Sequence, residues 1–277
     1  MLAWGSLFMY CDYHTHTPLC LHASGTPQEY VQSAVRAGLR EYGISDHAPM
    51  QEEPFDDWRM KQADMGAYLD WIREATELAA PHGLTVKAGL ECDWFPGIEP
   101  WTDHLRGLYE WDYLIGSVHY LGEKEEFDNP YKMDFWNTTD VEDAWEQYRK
   151  RFRDMAASGL FHILGHADLI KKFGFRPGGD LRRYYEPALE AISRSGACLE
   201  INTAGWGLTL SAREMAAIGE CCIHGGQVDG KQIIPQAWLK ESTRTQSCWE
   251  KQNLNYGYLW WIVEEAEHSF AALGDGG

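Results

Sequence analysis

The chain has 277 residues, 44% of them hydrophobic, enough to bury one large α/β core or two smaller ones. Its 42 acidic and 24 basic residues give a formal net charge of -18, which repels polyanions and argues against a nucleic-acid duplex as a partner. Seven cysteines without a repeating spacing, and no apolar run of membrane-spanning length, exclude a disulfide scaffold and a membrane span, and the expectation is a reduced, cytoplasmic chain.

Met1 to Phe8 are apolar but lack a basic start, and Met9 stands just before the first strand, so residues 1–8 read as an extension. Strand-like runs at Tyr10–Thr15, Glu41–Ser45, Thr85–Glu91, Tyr113–His119, His162–His166 and Ala197–Asn202 alternate with helical patterns. Thr26-Pro27-Gln28-Glu29 is a capped helix start, and the helix it opens runs to about Ala37 before Gly38. Lys61–Ala80, Val141–Ser158 and Arg182–Ser195 have apolar residues at helical spacing and stop at Pro81, Gly159 and Gly196. This βαβα order implies a parallel sheet or barrel, whose active site forms at the C-terminal strand ends.

Metal-type ligands stand at those ends. They are Asp12-Tyr13-His14-Thr15-His16, then His22, then Ser45-Asp46-His47, Gly89-Leu90-Glu91, Ser117-Val118-His119 and Gly165-His166-Ala167-Asp168. Imidazoles and carboxylates delivered from successive strands can converge on divalent cations, which makes metal-assisted hydrolysis the leading chemistry. Alternation puts His14 and His16 on one face of their strand. Glu91 ends an apolar run, where a buried carboxylate needs a cation. Asp46 reads as a ligand or, in preference, as a group that orients a neighbouring imidazole, and Asp12 is open in the same way. His82, His104, His162, His224 and His268 lie outside the motifs and read as ordinary surface or satisfied histidines. Lys171, Lys172 and Arg176 follow His166 closely, and Lys172 and Arg176 are the candidate substrate-binding cations.

The pattern changes near Ala204–Gly207. Ser211–Ile218 reads as a helix, Gly225-Gly226 as a turn, Pro235–Glu241 as a short helix and Tyr256–Val263 as one aromatic strand. The chain ends on Gly274-Asp275-Gly276-Gly277, a turn sequence that reads as the edge of an incomplete unit.

With these motifs on the page, residues 9–206 resemble the PHP family of metal-dependent phosphoesterases, and within it the PHP-type histidinol phosphatases. The stretches that carry the resemblance are Asp12-Tyr-His-Thr-His-Thr, Gly43-Ile-Ser-Asp-His, Gly89-Leu-Glu-Cys-Asp, Ile115-Gly-Ser-Val-His-Tyr, Leu164-Gly-His-Ala-Asp-Leu-Ile-Lys-Lys and Leu199-Glu-Ile-Asn-Thr-Ala-Gly. The resemblance implies a distorted (β/α) barrel that binds divalent metal ions, Mn, Zn or Fe, at up to three sites. It places His14, His16 and Glu91 on one metal, Glu91, His119 and His166 on a second, and His22 and His47 on a third. The implied activity is hydrolysis of a small phosphorylated metabolite, L-histidinol phosphate, in histidine biosynthesis, with His14, His16, Glu91, His119 and His166 as the catalytic set. No seventh strand with the family's Asp-x-His pair follows Gly205, so the barrel is expected to be truncated there, two metal sites to be incomplete and activity to be weak.

Residues 207–277 instead resemble the late part of a β-lactamase-related serine hydrolase, through Gly207-Leu-Thr-Leu-Ser-Ala-Arg-Glu-Met-Ala, Asp229-Gly-Lys-Gln-Ile-Ile-Pro-Gln-Ala-Trp-Leu and Tyr256-Gly-Tyr-Leu-Trp-Trp. No Ser-x-x-Lys, Tyr-x-Asn or Lys-Thr-Gly is present, so this small α+β fragment lacks nucleophile and base. The expected organisation is a phosphoesterase domain at 1–206 and an inert fragment at 207–277. Two rival readings remain: a defective fusion that binds metal without turnover, and a phosphoesterase acting on nucleic-acid ends, which the charge disfavours.

Overall fold

A computed structural model of the chain describes residues 11–200, 220–228, 230–232, 234–245, 247–249, 254–256, 261–264 and 269–271. The chain divides into two compact units, Met1–Gly205 and Trp206–Gly277. Among the described residues no helix is long and apolar enough to cross a membrane. Residues 1–10, the Ser211–Ile218 helix, the 207–216 stretch, the 274–277 turn and the expected break before a seventh strand lie outside the described residues.

In chain order the first unit contains β1 (Cys11–Asp12), α1 (Pro27–Arg36), β2 (Glu41–Ile44), α2 (Met65–Ala79), β3 (Thr85–Asp93), α3 (Glu99–Arg106) and β4 (Tyr113–Ser117). A hairpin follows, β5 (Tyr120–Leu121) and β6 (Glu125–Glu126), then α4 (Asp134–Thr138), α5 (Val141–Ser158), β7 (Ile163–Leu164), α6 (Arg182–Ser195) and β8 (Cys198–Leu199). The strands β1-β2-β3-β4-β7-β8 form a six-stranded sheet in that order, and every pair in it is parallel. Regular pairing is shorter than expected at β1, β7 and β8, and at β1 and β7 the chain leaves the ladder where it delivers His14, His16 and His166.

Local chemistry explains the helices. Thr26 and Glu29 cap α1 reciprocally, with Pro27 at its first position. The Asp140 carboxylate caps α5 through the Asp143 N–H, and Gly159, at φ 68°, ends it in the left-handed conformation. The buried face of α5 carries Ala144, Trp145, Tyr148, Phe152, Met155 and Ala156, spaced for one side of a helix. The expected helix at Lys61–Ala80 is an α-helix only over Met65–Ala79, flanked by 3₁₀ turns. The sequence reading missed α3, since only Thr102 and Leu105 of it are buried and no periodic stripe results.

Two glycines shape the sheet beneath the site. A Cβ on Gly89 would stand 2.4 Å from the Tyr113 ring, and one on Gly43 2.2 Å from its hydroxyl. Their bare backbone lets Tyr113 reach across β3 and β2 and donate to the Tyr13 carbonyl at 2.6 Å. That bond holds the segment leading to His14 and His16 against the sheet.

The second unit pairs β9 (Gln227–Val228) with β10 (Lys231–Gln232), followed by α7 (Gln236–Ser242). A four-stranded antiparallel meander follows, β11 (Ser247–Trp249), β12 (Leu254–Tyr256), β13 (Trp261–Glu264) and β14 (Ser269–Ala271). The single strand expected at Tyr256–Val263 is corrected. Its two ends belong to β12 and β13, which pair antiparallel with Tyr256 opposite Trp261, so the chain reverses between them. Gly257, inside the aromatic run, is the overlooked signal.

Candidate metal centre

The strand ends meet at Glu91. Past β2 the parallel pairing with β3 continues as a single bridge between His47 and Glu91, with the Glu91 N–H donating to the Asp46 carbonyl at 2.9 Å and the Ala48 N–H to the Glu91 carbonyl at 2.8 Å. Past β1, the Ser45 N–H donates to the Thr15 carbonyl at 2.9 Å, so Thr15 points to the sheet and its neighbours His14 and His16 point away. Past β4 and β7, the Gly165 N–H reaches the Gly116 carbonyl at 2.8 Å. His166 then takes a positive φ of 22°, held by the Tyr148 hydroxyl on its carbonyl at 2.9 Å and by its own N–H to Glu200 at 2.8 Å.

Glu91 is fully buried. Its Oε2 lies 2.9 Å from His47 Nδ1, 3.1 Å from His14 Nε2 and 3.5 Å from His16 Nε2. Its Oε1 lies 2.9 Å from His166 Nε2 and 3.6 Å from His119 Nε2, and accepts from the Ser117 hydroxyl at 2.6 Å. The exposed His22 ring completes the group, 5.0 Å from His16 and 5.2 Å from His47 between centroids. The seven residues expected as ligands thus form one cluster, five imidazoles facing the Glu91 carboxylate and His22 beside His16 and His47.

Their grouping differs from the one the resemblance implies. Ligand atoms within 4.8 Å of one another unite His14, Glu91 and His166, then His47, Glu91 and His119, then His16, His22 and His47. Glu91 sits between the two halves of the cluster: Oε2 faces the rings from the β1 and β2 side, and Oε1 those from the β4 and β7 side. A fourth trio is His16, Cys20 and Asp46. Asp46 already accepts from the Thr17 N–H and hydroxyl, and Cys20 Sγ from the His47 N–H at 3.1 Å, which fits them to orienting neighbours.

The donor set fits divalent cations. Glu91 Oε2 and the Nδ1 atoms of His16, His47 and His166 are buried with no hydrogen-bond partner among the described residues. His47 Nδ1 and Glu91 Oε2 face each other at 2.9 Å, and in a dry site a proton or a metal cation between them satisfies both. Burial alone would raise the Glu91 carboxyl, but His47 and His14 hold it well below the usual carboxylate range. Burial opposes charge on His14 as well, and Glu91 with Glu200 holds its imidazole well above its ordinary value. His119 rises to about 9 despite burial, because Asp93 and Glu91 face it. His16 falls well below its ordinary value and His47 falls to about 4, burial being the first cause in both.

A pH dependence follows. Metal binds neutral imidazole, and in the metal-free chain protons occupy His14 and His119 below their raised values. Zinc affinity should therefore climb as pH rises toward about 9 and fall as it drops. Calorimetric zinc titration at neutral pH should show binding heats that change with buffer ionisation enthalpy, reporting proton release. Heats independent of the buffer would contradict this.

A cavity of about 650 Å³ opens over the cluster. His14, His16, His22, His47, Glu91, His119 and His166 form its floor, and Trp58, Asp57, Glu126, Asp128, Tyr131 and Lys172 are among the residues of its wall. Of the two expected substrate cations, Lys172 is among the residues that line this cavity and Arg176 is not. Gly174, at φ 79°, turns the chain after Lys172, and Phe175 stacks on Trp136 at 4.5 Å. Lys172 lies 3.4 Å from Asp128.

Three supporting residues were missed. Glu200 accepts from the His166 N–H and lies 2.7 Å from His14 Nδ1. Asp93 lies 2.6 Å from His119 Nδ1. Buried Arg59 donates to Asp93 at 2.8 Å. Asp93 stands two residues beyond Glu91 on the same strand, so strand alternation could have found it.

A family model described as PHP domain matches residues 12–204. The chain is 41% identical over 196 residues to the "Probable histidinol-phosphatase" of Deinococcus radiodurans, covering 71% of this chain and 74% of that protein. It is 28% identical over 218 residues to the "Histidinol-phosphatase" of Bacillus subtilis, covering 70% of this chain and 80% of that one. A solved structure of similar fold, with a TM-score of 0.57 and 21% identity over 70% of this chain and 73% of the other, is histidinol phosphate phosphatase from Lactococcus lactis subsp. lactis, complexed with Zn, L-histidinol and phosphate.

Proposed function

The chain belongs to the PHP-domain family, and from that premise we propose that it hydrolyses L-histidinol phosphate to L-histidinol and phosphate, a step of histidine biosynthesis. It is a phosphoric monoester hydrolase on a distorted α/β barrel. The observation that carries the reading is the convergence of five imidazoles on the buried Glu91 carboxylate beneath an open cavity.

His14, His16, His22, His47, Glu91, His119 and His166 are the metal ligands in this reading, and His14, His16, Glu91, His119 and His166 the groups closest to the chemistry. Mixed imidazole and carboxylate donors suit Zn, Mn or Fe, and the Lactococcus lactis structure contains Zn. Divalent cations held here supply Lewis-acid polarisation of the phosphate and a water of lowered pKa. The chain's own groups do the rest. Glu200 and Asp93 fix the ring orientation of His14 and His119. Lys172 presents an ammonium on the cavity wall, where a phosphate oxygen competes with Asp128 for it. Trp58 offers a flat apolar wall, and Asp57, Glu126 and Asp128 give the cavity an acidic side suited to an amine and imidazole. Residues 207–277 are read as a fragment resembling β-lactamase-related serine hydrolases that adds no catalytic group.

The test is phosphate release by the full chain from L-histidinol phosphate and from a phosphomonoester whose leaving group has no amine or imidazole, such as p-nitrophenyl phosphate. The reading expects kcat/KM for histidinol phosphate at least about 10-fold higher, the scale of one recognised charged group (about 1.4 kcal/mol). Equal values, or no turnover of histidinol phosphate, would contradict it.

A further inference from the structure

Arg59 is buried, touches no ligand directly, and lies in an irregular stretch of chain between the bridge residue His47 and α2. Its guanidinium meets four partners. Nε donates to Asp56 at 2.5 Å, Nη1 to the Ala48 carbonyl at 2.8 Å, and Nη2 to Asp93 at 2.8 Å and the Tyr120 hydroxyl at 3.0 Å. The Tyr120 hydroxyl in turn donates to Asp56 at 2.6 Å, closing a ring of buried polar groups. The guanidinium carbon lies 4.6 Å from the centre of the Trp58 ring, which walls the cavity.

Two of these partners belong to the metal centre's scaffold. Asp93 holds His119 through Nδ1, which leaves Nε2 facing Glu91. Ala48 follows His47 directly, and its N–H bonds the Glu91 carbonyl. One planar fork thus ties the His47 segment to the carboxylate behind His119. A lysine, with one nitrogen at the end of a flexible stem, cannot span acceptors on three sides. Burying a cation is costly unless every donor is satisfied, and here the fork bonds on all sides.

We propose that Arg59 is a positioning residue of the metal centre, acting through Asp93 and the Ala48 carbonyl to hold His119 and His47 at the angles the shared carboxylate requires. The proposal rests on the metal-centre reading above. Its test is zinc affinity of the full-length, zinc-free chain, measured by competition with a chromophoric chelator. Arg59→Lys keeps a buried cation, and its zinc affinity should fall about 10–100-fold, the usual cost of losing a group that orients a ligand. Asp93→Asn should lose a similar factor. The double variant should be little worse than the weaker single one, because both act along one path. A purely structural role would leave zinc affinity unmoved in folded protein, or make the two losses multiply, and either result overturns the proposal. Should Arg59→Lys fail to fold, Asp56→Asn loosens the fork from its outer side while leaving Asp93 and His119 in place. It must also weaken zinc binding, and unchanged affinity there overturns the proposal. A wild-type chain that takes up no zinc overturns the metal-centre reading and this proposal with it.

Discussion

Glu91→Gln should reduce histidinol phosphate hydrolysis by at least about 100-fold, with a parallel loss of zinc affinity, because losing even an orienting group costs about 10–100-fold. The change is nearly isosteric, so the fold around Ser117 and the strand bridge is kept. What disappears is the negative charge that faces His14, His16 and His47 from one oxygen and His119 and His166 from the other. Each trio that contains Glu91 then has only neutral donors for a cation. Initial rates and chelator competition measure both effects. His82→Ala, at an exposed residue of the turn after α2, is the control and should change neither. Activity of Glu91→Gln within about threefold of wild type (under 1 kcal/mol) would contradict the account.

Trp145→Ala should cost about 3–5 kcal/mol of stability, as truncation of a buried large aromatic does. Trp145 has no exposed surface, and its indole N–H donates to the Phe175 carbonyl at 2.9 Å. Its ring contacts Tyr184 and Tyr185 on α6, so its loss opens a cavity where α5 meets α6 and takes a donor from the half-buried Phe175 carbonyl. Against a net stability of about 5–15 kcal/mol, the denaturant midpoint should drop steeply. A shift worth under about 1 kcal/mol would mean that the site collapses freely.

What the sequence made legible follows from the length scale of each interaction. His14 and His16, His47, Glu91, His119 and His166 could be found because each lies just beyond an apolar run, and a parallel sheet sends all such ends to one side. α5 and α6 were legible to the residue because Asp140, Gly159 and Gly196 punctuate apolar patterns of helical period. The division of imidazoles between the two Glu91 oxygens was not legible, since it depends on how adjacent strands curl and which rings face each other. Arg59 was invisible for a similar reason. It lies in a stretch without periodicity, and its partners Ala48, Asp93 and Tyr120 come from three separate segments. Glu200 stood within a quoted motif, Leu199-Glu-Ile-Asn, yet only the approach of β8 to β7 brings it beside His14 and His166. Its carboxylate gives the His14 side of the cluster an anion that was not foreseen when two sites were expected to be incomplete.

The most direct test of the central claim, that this cluster holds the metal on which hydrolysis depends, is to strip the full-length wild-type chain with a chelator and add zinc back. Bound zinc per chain and phosphate release from L-histidinol phosphate are followed in the same samples. The account predicts no turnover in the stripped protein and activity that rises in step with zinc until the cluster is filled. Full activity in protein freed of metal, or zinc uptake that restores none, would contradict it.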